Sequence, residues 1–429
     1  MRENISVQIG KCGIQLGHEY WKQISSDHSI DPLGFVSRKK FFKRNENISS
    51  FFKEMSTGQY LPRTILFDLE PREIQNLKNG TFSKFYSELN IINRTDGSGN
   101  NWSKGYIRAL EIIPKIEEVF RKNAEKCDSV GSFNLFHSIT GGTGSGSTCS
   151  ILEILRENFP GKIINCYSVI PNQIGQSDIV VQPYNSVLSM RWLNYYADSV
   201  IMFENESLGK ILQSENKNFR VNYAQLNSIA AKILNTFTLP LRFWNYSETN
   251  FESIISSMIP LPNLHFLFGA LSNYQIPGEK YTPDNIFPEN IRKLLKNKTI
   301  CSKWENGKLI ASSYFFKKEK GIDMRTNVLK KIFRESDIDY VNWTPISIQE
   351  INLNFSRSFK NIPQTDSALF NHTGIKEIFI KMGNQFDILK KRNAFLSNFL
   401  REFSQIDGRE IFDESRESME KLVTAYEKT

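Results

Sequence analysis

An apolar run, a glycine-rich turn and an amphipathic segment follow one another around Ser138-Ile-Thr-Gly-Gly-Thr-Gly-Ser-Gly-Ser147, and that order restricts what the chain can become. Phe133-Asn-Leu-Phe-His-Ser-Ile139 reads as a buried strand, and Thr148-Cys-Ser-Ile-Leu-Glu-Ile-Leu-Arg-Glu157 carries apolar residues at helical spacing. Four glycines within six residues, Gly141, Gly142, Gly144 and Gly146, remove the Cβ atoms that would hold the backbone away from a ligand. The unpaired N–H groups opening the following helix then face an anion. Ser138, Thr143 and Ser145 add hydroxyl donors. A flexible Gly/Ser linker seldom lies directly between a buried strand and an amphipathic helix, so the segment predicts a phosphate site. It lacks the Gly-Lys-Ser/Thr ending of a P-loop and does not fit G-x-G-x-x-G. The turn alone therefore does not say which nucleotide binds.

The same grammar recurs on either side. Ile5 to Ile9 alternates apolar and polar, and Gly10-Lys-Cys-Gly13 then turns into a helix through Ile14, Leu16, Trp21 and Ile24. Thr64 to Phe67 is a strand that runs into Asp68-Leu-Glu-Pro71, two carboxylates suited either to the waters of Mg²⁺ or to capping the next helix. Asp96-Gly-Ser-Gly-Asn-Asn-Trp102 is a third glycine-bearing turn, and strands at 163–170 and 199–203 complete the series. Alternating strands and helices over the first 205 residues predict a largely parallel sheet covered on both faces, with every polar loop at one edge. Residues 221–238 read as a long connector helix, and 241–370 as an intermediate α+β region with strands near 264–267 and 346–353. Helical residues 371–429 follow, with one apolar stripe over 376–403 and a last helix from about Asp413. Phe35 to Tyr60, with Arg38-Lys-Lys-Phe-Phe-Lys-Arg44, reads as an irregular surface loop.

With 429 residues, 40% apolar and 23% charged, the chain is ordinary for a folded, multi-domain protein. Its formal charge of +8 is spread along the sequence, which gives little support to nucleic-acid binding. Cys12, Cys127, Cys149, Cys166 and Cys301 show no metal-ligand spacing and read as reduced thiols of a cytosolic protein. The N-terminus has no apolar signal core, and Pro260 and Pro262 interrupt the most membrane-like window, so neither export nor a membrane partner is expected.

Gly10-Lys-Cys-Gly13, Asp68-Leu-Glu-Pro71, Gly99-Asn-Asn-Trp102, Gly141 to Gly146, Val181-Gln-Pro-Tyr-Asn185 and Asn222-Tyr-Ala-Gln-Leu-Asn227 occur in an order and spacing that resembles the tubulin family. The resemblance runs from residue 2 to about 428, with gaps around 35–60 and 270–325. Trp21-Lys-Gln, Val180-Val-Gln-Pro-Tyr, Asn371-His-Thr and Leu389-Lys-Lys-Arg-Asn-Ala-Phe-Leu396 are similar to the gamma type. The sequence given stops at Ala-Tyr-Glu-Lys-Thr429, without the acidic tail typical of the alpha and beta types.

The resemblance implies a Rossmann-like GTPase domain over 1–240 and a GTP/GDP site. Gly141, Gly142, Thr143, Gly144, Ser145 and Gly146 would cradle phosphates together with Ser138. Asp68 and Glu70 would orient the waters of Mg²⁺, and Asn100 would approach the γ-phosphate. Asp178 and Gln182 would lie near the ribose. Asn205 and Asn227 would read guanine, Tyr223 would stack on it, and Cys12 and Gln15 would complete the base and phosphate side. Lys11 stands where the family usually has glutamine, and Ile14 where it usually has asparagine. Lys11 is therefore expected either to add a fixed positive charge that partly replaces Mg²⁺ or to point into solvent. Ser253 stands where alpha-tubulin carries its catalytic glutamate, so slow turnover is expected without a partner. The implied partners are gamma-tubulin complex proteins, alpha/beta-tubulin and lateral copies of the chain, at a spindle pole body or centrosome. A tubulin of the microtubule wall is one alternative. A nicotinamide oxidoreductase is another, although neither glycine turn supplies the G-x-G-x-x-G fingerprint and later acidic residue that it needs.

Overall fold

The structure is a computed structural model and describes residues 2–36, 47–170, 179–215, 221–243, 250–272, 292–295, 300, 307–315, 339–343, 366–403 and 408–429. In chain order the first half runs β1 (Glu3–Ile9), α1 (Gly10–Asp27), β2 (Phe52–Glu54), β3 (Tyr60–Pro62), β4 (Thr64–Asp68), α2 (Arg72–Asn79), β5 (Ile91–Asn93), α3 (Trp102–Leu110), α4 (Ile113–Ala124), β6 (Val130–Ser138), α5 (Thr148–Asn158) and β7 (Ile163–Ile170). The second half runs α6 (Gln182–Tyr196), β8 (Ser199–Glu204), α7 (Asn205–Glu215), α8 (Tyr223–Arg242), α9 (Phe251–Met258), β9 (Phe266–Leu271), β10 (Leu309–Phe315), β11 (Ser367–His372), α10 (Lys376–Lys391), α11 (Leu396–Leu400) and α12 (Gly408–Glu427).

Among the described residues, nine strands form one sheet in the order β10-β11-β9-β8-β7-β6-β1-β4-β5. From β9 to β5 every pairing is parallel. Strands β10 and β11 add an antiparallel margin, so strands of the 241–370 region join the same sheet. Side-chain alternation builds two cores from each strand. Phe133 and Leu135 of β6, Val200 and Met202 of β8, and Phe266 and Phe268 of β9 enter the core beneath α3 to α6 and α12. Phe136, Ile201, Phe203 and Leu267 enter the opposite core, beneath α1, α8 and α9. Burial on both faces is what a parallel sheet with crossover helices requires, and it accounts for the apolar strands in the sequence.

Helices α1 and α8 lie side by side. Their C-terminal ends are joined by the buried Arg242, whose Nη2 donates to Asp27 Oδ2 at 3.1 Å and to the Asn235 carbonyl at 2.9 Å. On the other face, the Tyr184 ring of α6 meets Phe386, Phe399 and Phe412 at centroid distances of 5.2 to 5.4 Å, which seats α10, α11 and α12.

Three local expectations change. The helical stretch 376–403 is interrupted: α10 stops at Lys391, and Asn393 and Phe395 turn the chain through left-handed φ values of 48° and 59°. The apolar stripe is still buried, at Phe379, Phe386, Leu396 and Phe403, but two helices and a turn carry it. The last helix begins at Gly408, earlier than Asp413. Part of 35–60 is ordered rather than a simple surface loop, because β2 and β3 pair and Phe52 packs edge-on to Trp21 at 5.2 Å. The basic run Arg38 to Arg44, the strand expected at 346–353 and Cys301 lie outside the described residues. Among the described residues, no helix is long and apolar enough to cross a membrane.

The Arg242–Asp27 pair is fully enclosed, so removing one partner strands a buried charge. Asp27→Ala is expected to destabilise the protein by about 3 kcal/mol in denaturant unfolding. The double variant Asp27→Leu with Arg242→Met should cost clearly less than the sum of the single changes, because it leaves no orphaned charge.

Candidate nucleotide site at the carboxyl edge of the sheet

Since β1, β4, β5, β6 and β8 run in parallel, the segments that follow them leave the same edge of the sheet. The centre of this edge is a meeting of backbones. Gly10, at a left-handed φ of 69°, joins β1 to α1, and a Cβ there would come within 3.0 Å of the Gly144 nitrogen. A Cβ on Gly142 would meet the Asn101 nitrogen at 2.6 Å, and one on Gly146 would meet the Trp102 carbonyl at 2.0 Å. At Gly141 the same position is open. Three glycines of the turn thus fit it against its neighbours, and the fourth leaves a gap on the open side. Thr143 to Ser147 form a single wide π-type turn that continues into α5, so a helix N-terminus opens at this point.

The hydroxyls of the turn divide the work. Ser145 is fully buried and its Oγ donates back to the Gly141 and Gly142 carbonyls, so it shapes the turn rather than facing outward. Thr143 Oγ1 lies 3.0 Å from Ser98 Oγ of the loop after β5, and Ser138 Oγ lies 2.8 Å from Thr140 Oγ1. Asn100 is exposed at a left-handed φ of 56°.

Two residues with no role assigned in the sequence analysis hold these loops. Asn185 of α6 is fully buried; its Nδ2 donates to the Asn100 and Thr140 carbonyls, both at 2.8 Å, while its Oδ1 accepts from Trp102 N at 3.0 Å. One amide therefore ties the loop after β5 to the loop after β6. His137 lies beneath the turn, with Nδ1 at 3.1 Å from the Gly144 carbonyl and Nε2 at 2.8 Å from Ser168 Oγ. A carbonyl only accepts, so Nδ1 carries the proton and the Ser168 hydroxyl donates to Nε2. Burial lowers the His137 pKa to about 4, which keeps the ring neutral in this role. Asn185 closes a motif visible in the sequence and His137 adjoins Ser138, but neither position reveals its bonds.

The acidic side is more enclosed than the sequence suggests. Asp68 is 3% exposed and its Oδ1 accepts from Glu70 N at 3.2 Å. Burial, and then the charges of Glu70 and Glu73, push its pKa up to about 7. Glu70 is exposed and lies against Gly97 of the next loop. Glu73, which sequence reasoning missed, accepts from Gln15 Nε2 at 3.1 Å and faces Lys11 Nζ at 3.8 Å. Gln15 is thus turned towards α2 in this structure.

On the far side, Asn205 opens α7 directly after β8. The capping box of Asn222 and Gln225 sets the start of α8. Tyr223 and Asn227, four residues apart, share a face of that helix. The tyrosine ring is 70% exposed, whereas Asn227 is buried. An uncovered ring beside an enclosed amide suits a planar heterocycle that stacks and is read by hydrogen bonds. Cys12 of α1 is partly buried as a residue, and burial of its sulfur pushes the thiol up to about 12, which favours the protonated form near neutrality. Gln182 is buried at the start of α6, and Asp178 lies outside the described residues.

A phosphate turn, a carboxylate pair and an aromatic–amide platform along one edge of a parallel sheet define a nucleotide-binding α/β domain. Residues 3–213 match the model of the Tubulin/FtsZ family, GTPase domain. Residues 3–213 are thus a GTPase domain of the Tubulin/FtsZ family, and a domain of this kind binds GTP or GDP.

Asn185→Ala removes the tie between two loops while leaving a small side chain in α6. GTP affinity is expected to fall by roughly tenfold or more in equilibrium titration, with the protein still folded by circular dichroism. His137 gives a pH test. The unfolded chain protonates this ring near 6.5 and the folded chain only near 4, so between those values the unfolded state binds more protons. Folded stability contributed by His137 is therefore expected to fall as pH drops from 6.5 towards 4, by at most about 1.4 kcal/mol per pH unit. In paired unfolding titrations, His137→Gln should show a shallower loss across that window.

Proposed function

We propose that the chain is a gamma-type tubulin: a GTP-binding structural protein that nucleates microtubules at an organising centre in the cytoplasm, such as a spindle pole body or centrosome. The observation that carries this reading is the chemistry at Ser253, where alpha-tubulin has its water-activating acid. Ser253 lies in the first turn of α9, and its hydroxyl accepts from Asn250 N at 3.1 Å and donates to Asn250 O at 2.8 Å. The adjacent Glu252 is engaged by Arg2 at 2.6 Å. A hydroxyl held in a helix cap has no carboxylate with which to take a proton from water. A subunit of this kind binds GTP on one face and offers no acid to a subunit below. That arrangement suits the end of a microtubule, with the nucleotide face presented to alpha-tubulin and the opposite side held by gamma-tubulin complex proteins and lateral copies.

Asp68 and Glu70 fit a hydrated Mg²⁺ in this reading. A carboxylate that is almost fully buried and raised to about 7 by burial and acidic neighbours is a group whose charge a divalent cation would stabilise. When bound, the ion would offset the charge of the β- and γ-phosphates. The residues of this chain then have separate tasks: the 141–146 turn orients phosphate, Asn205 and Asn227 select guanine, and Tyr223 covers the base.

The test mixes the full chain with alpha/beta-tubulin and GTP and locates it on the filaments. The expected result is a shortened assembly lag and label confined to minus ends. Uniform incorporation along the lattice would instead make it a wall subunit. Competition for bound labelled GTP should rank GTP far above ATP and NAD.

A further inference from the structure

We propose that Lys11 is a tethered counter-ion for the nucleotide phosphates and that Glu73 holds it in reserve, so that phosphate and Glu73 compete for one ammonium group. The proposal rests on the GTP reading above and concerns how that site is regulated. Lys11 directly follows Gly10, whose close approach to the Gly144 nitrogen places the start of α1 against the phosphate turn. Its side chain is 67% exposed, so packing does not fix the ammonium. The 3.8 Å from Nζ to Glu73 Oε1 is an ion pair too long to be a hydrogen bond.

Glu73 is built differently. Its side chain is only 12% exposed, and Gln15 Nε2 donates to the other carboxylate oxygen at 3.1 Å. A fixed carboxylate therefore faces a movable cation. Lysine suits such an exchange, because it is a compact charge on a flexible stem with no preferred bidentate geometry. A di- or triphosphate carries more charge than one carboxylate and attracts the ammonium more strongly. Without nucleotide, Glu73 keeps Lys11 from drawing unrelated anions. With nucleotide, Lys11 supplies in covalent form part of the neutralisation that a divalent ion otherwise gives. Glu73 and Lys11 then have opposite effects on affinity, which a purely structural salt bridge would not produce.

The test titrates labelled GTP against the full-length protein, Lys11→Gln, Glu73→Gln and the double variant, each with Mg²⁺ and with EDTA. Wild type is expected to lose less than about tenfold in affinity on chelation, and Lys11→Gln to lose roughly tenfold more. Glu73→Gln keeps the shape of the side chain but not its charge, and is expected to tighten binding in EDTA by about threefold. The double variant should behave like Lys11→Gln. A large wild-type loss in EDTA that Lys11→Gln leaves unchanged would overturn the proposal, as would weaker binding by Glu73→Gln in EDTA. Thermal unfolding of each variant separates loss of affinity from loss of fold. If wild type does not bind GTP in either condition, the nucleotide reading falls and takes this proposal with it; GTP binding with indifferent variants removes the proposal alone.

Discussion

The site depends on backbones meeting where side chains cannot fit. Gly10 against Gly144, Gly142 against Asn101 and Gly146 against Trp102 are approaches at which an added Cβ would lie 2.0 to 3.0 Å from main-chain atoms. Such closeness brings the segments after β1, β5 and β6 into one surface. It also has a cost, because glycine loses more conformational freedom on folding than any other residue. Hydrogen bonds that are costly to break offset this. Asn185 holds two loops from one side and His137 holds Gly144 from beneath, both from fully buried positions. The turn is thus held by close packing and by hydrogen bonding in the protein alone, which would lower the ordering cost of binding an anion there.

Two buried titratable groups at this surface, His137 and Asp68, are shifted in opposite directions. Burial lowers His137, so the folded state resists its protonation. Burial and neighbouring acids raise Asp68, so the folded state resists its ionisation. Both are pushed towards the neutral form chiefly by removal from water, yet they answer differently to a ligand. A neutral imidazole completes the protein's own hydrogen bonds and needs nothing further. A carboxylate at about 7 is only partly ionised near neutrality, and a cation beside it would complete its ionisation. The turn is therefore finished in the protein alone, whereas the acidic side awaits a positive charge.

Much of this was legible in the sequence because the relevant signals are local. A strand, glycines and a helix are contiguous, and Asp68 and Glu70 stand where a strand ends. The alternation of Ile5, Val7 and Ile9 with Ser6 and Gln8 marked β1, although the polar residues proved to be buried as well. The residues that were not legible act over long separations. Asn185 bonds to Asn100 and Thr140, and Glu73 meets Gln15, so their roles exist only after the sheet has formed. The break after Lys391 was hidden for a different reason: apolar spacing continues across Asn393 and Phe395, and periodicity records which residues are buried, not whether the backbone between them stays helical.

The C-terminal helices are not a separate layer as far as the site is concerned. Asn101 caps α3 through Ser103 N at 2.9 Å, and its Nδ2 reaches the Asn398 carbonyl of α11 at 3.1 Å. Tyr184, one residue from Asn185 on α6, packs its ring on Phe386, Phe399 and Phe412. The loop that carries Asn100 is therefore held by α6 through Asn185 and by α11 through Asn101, while α6 and α11 are clamped to each other by aromatic rings. A shift of that loop cannot be absorbed by the loop alone. It must either break a hydrogen bond from a buried amide or move α11 with it, and α11 begins beside Phe395, a residue that is 47% exposed at a left-handed φ. Close packing thus makes the outer surface near Phe395 mechanically continuous with the loop nearest the expected γ-phosphate.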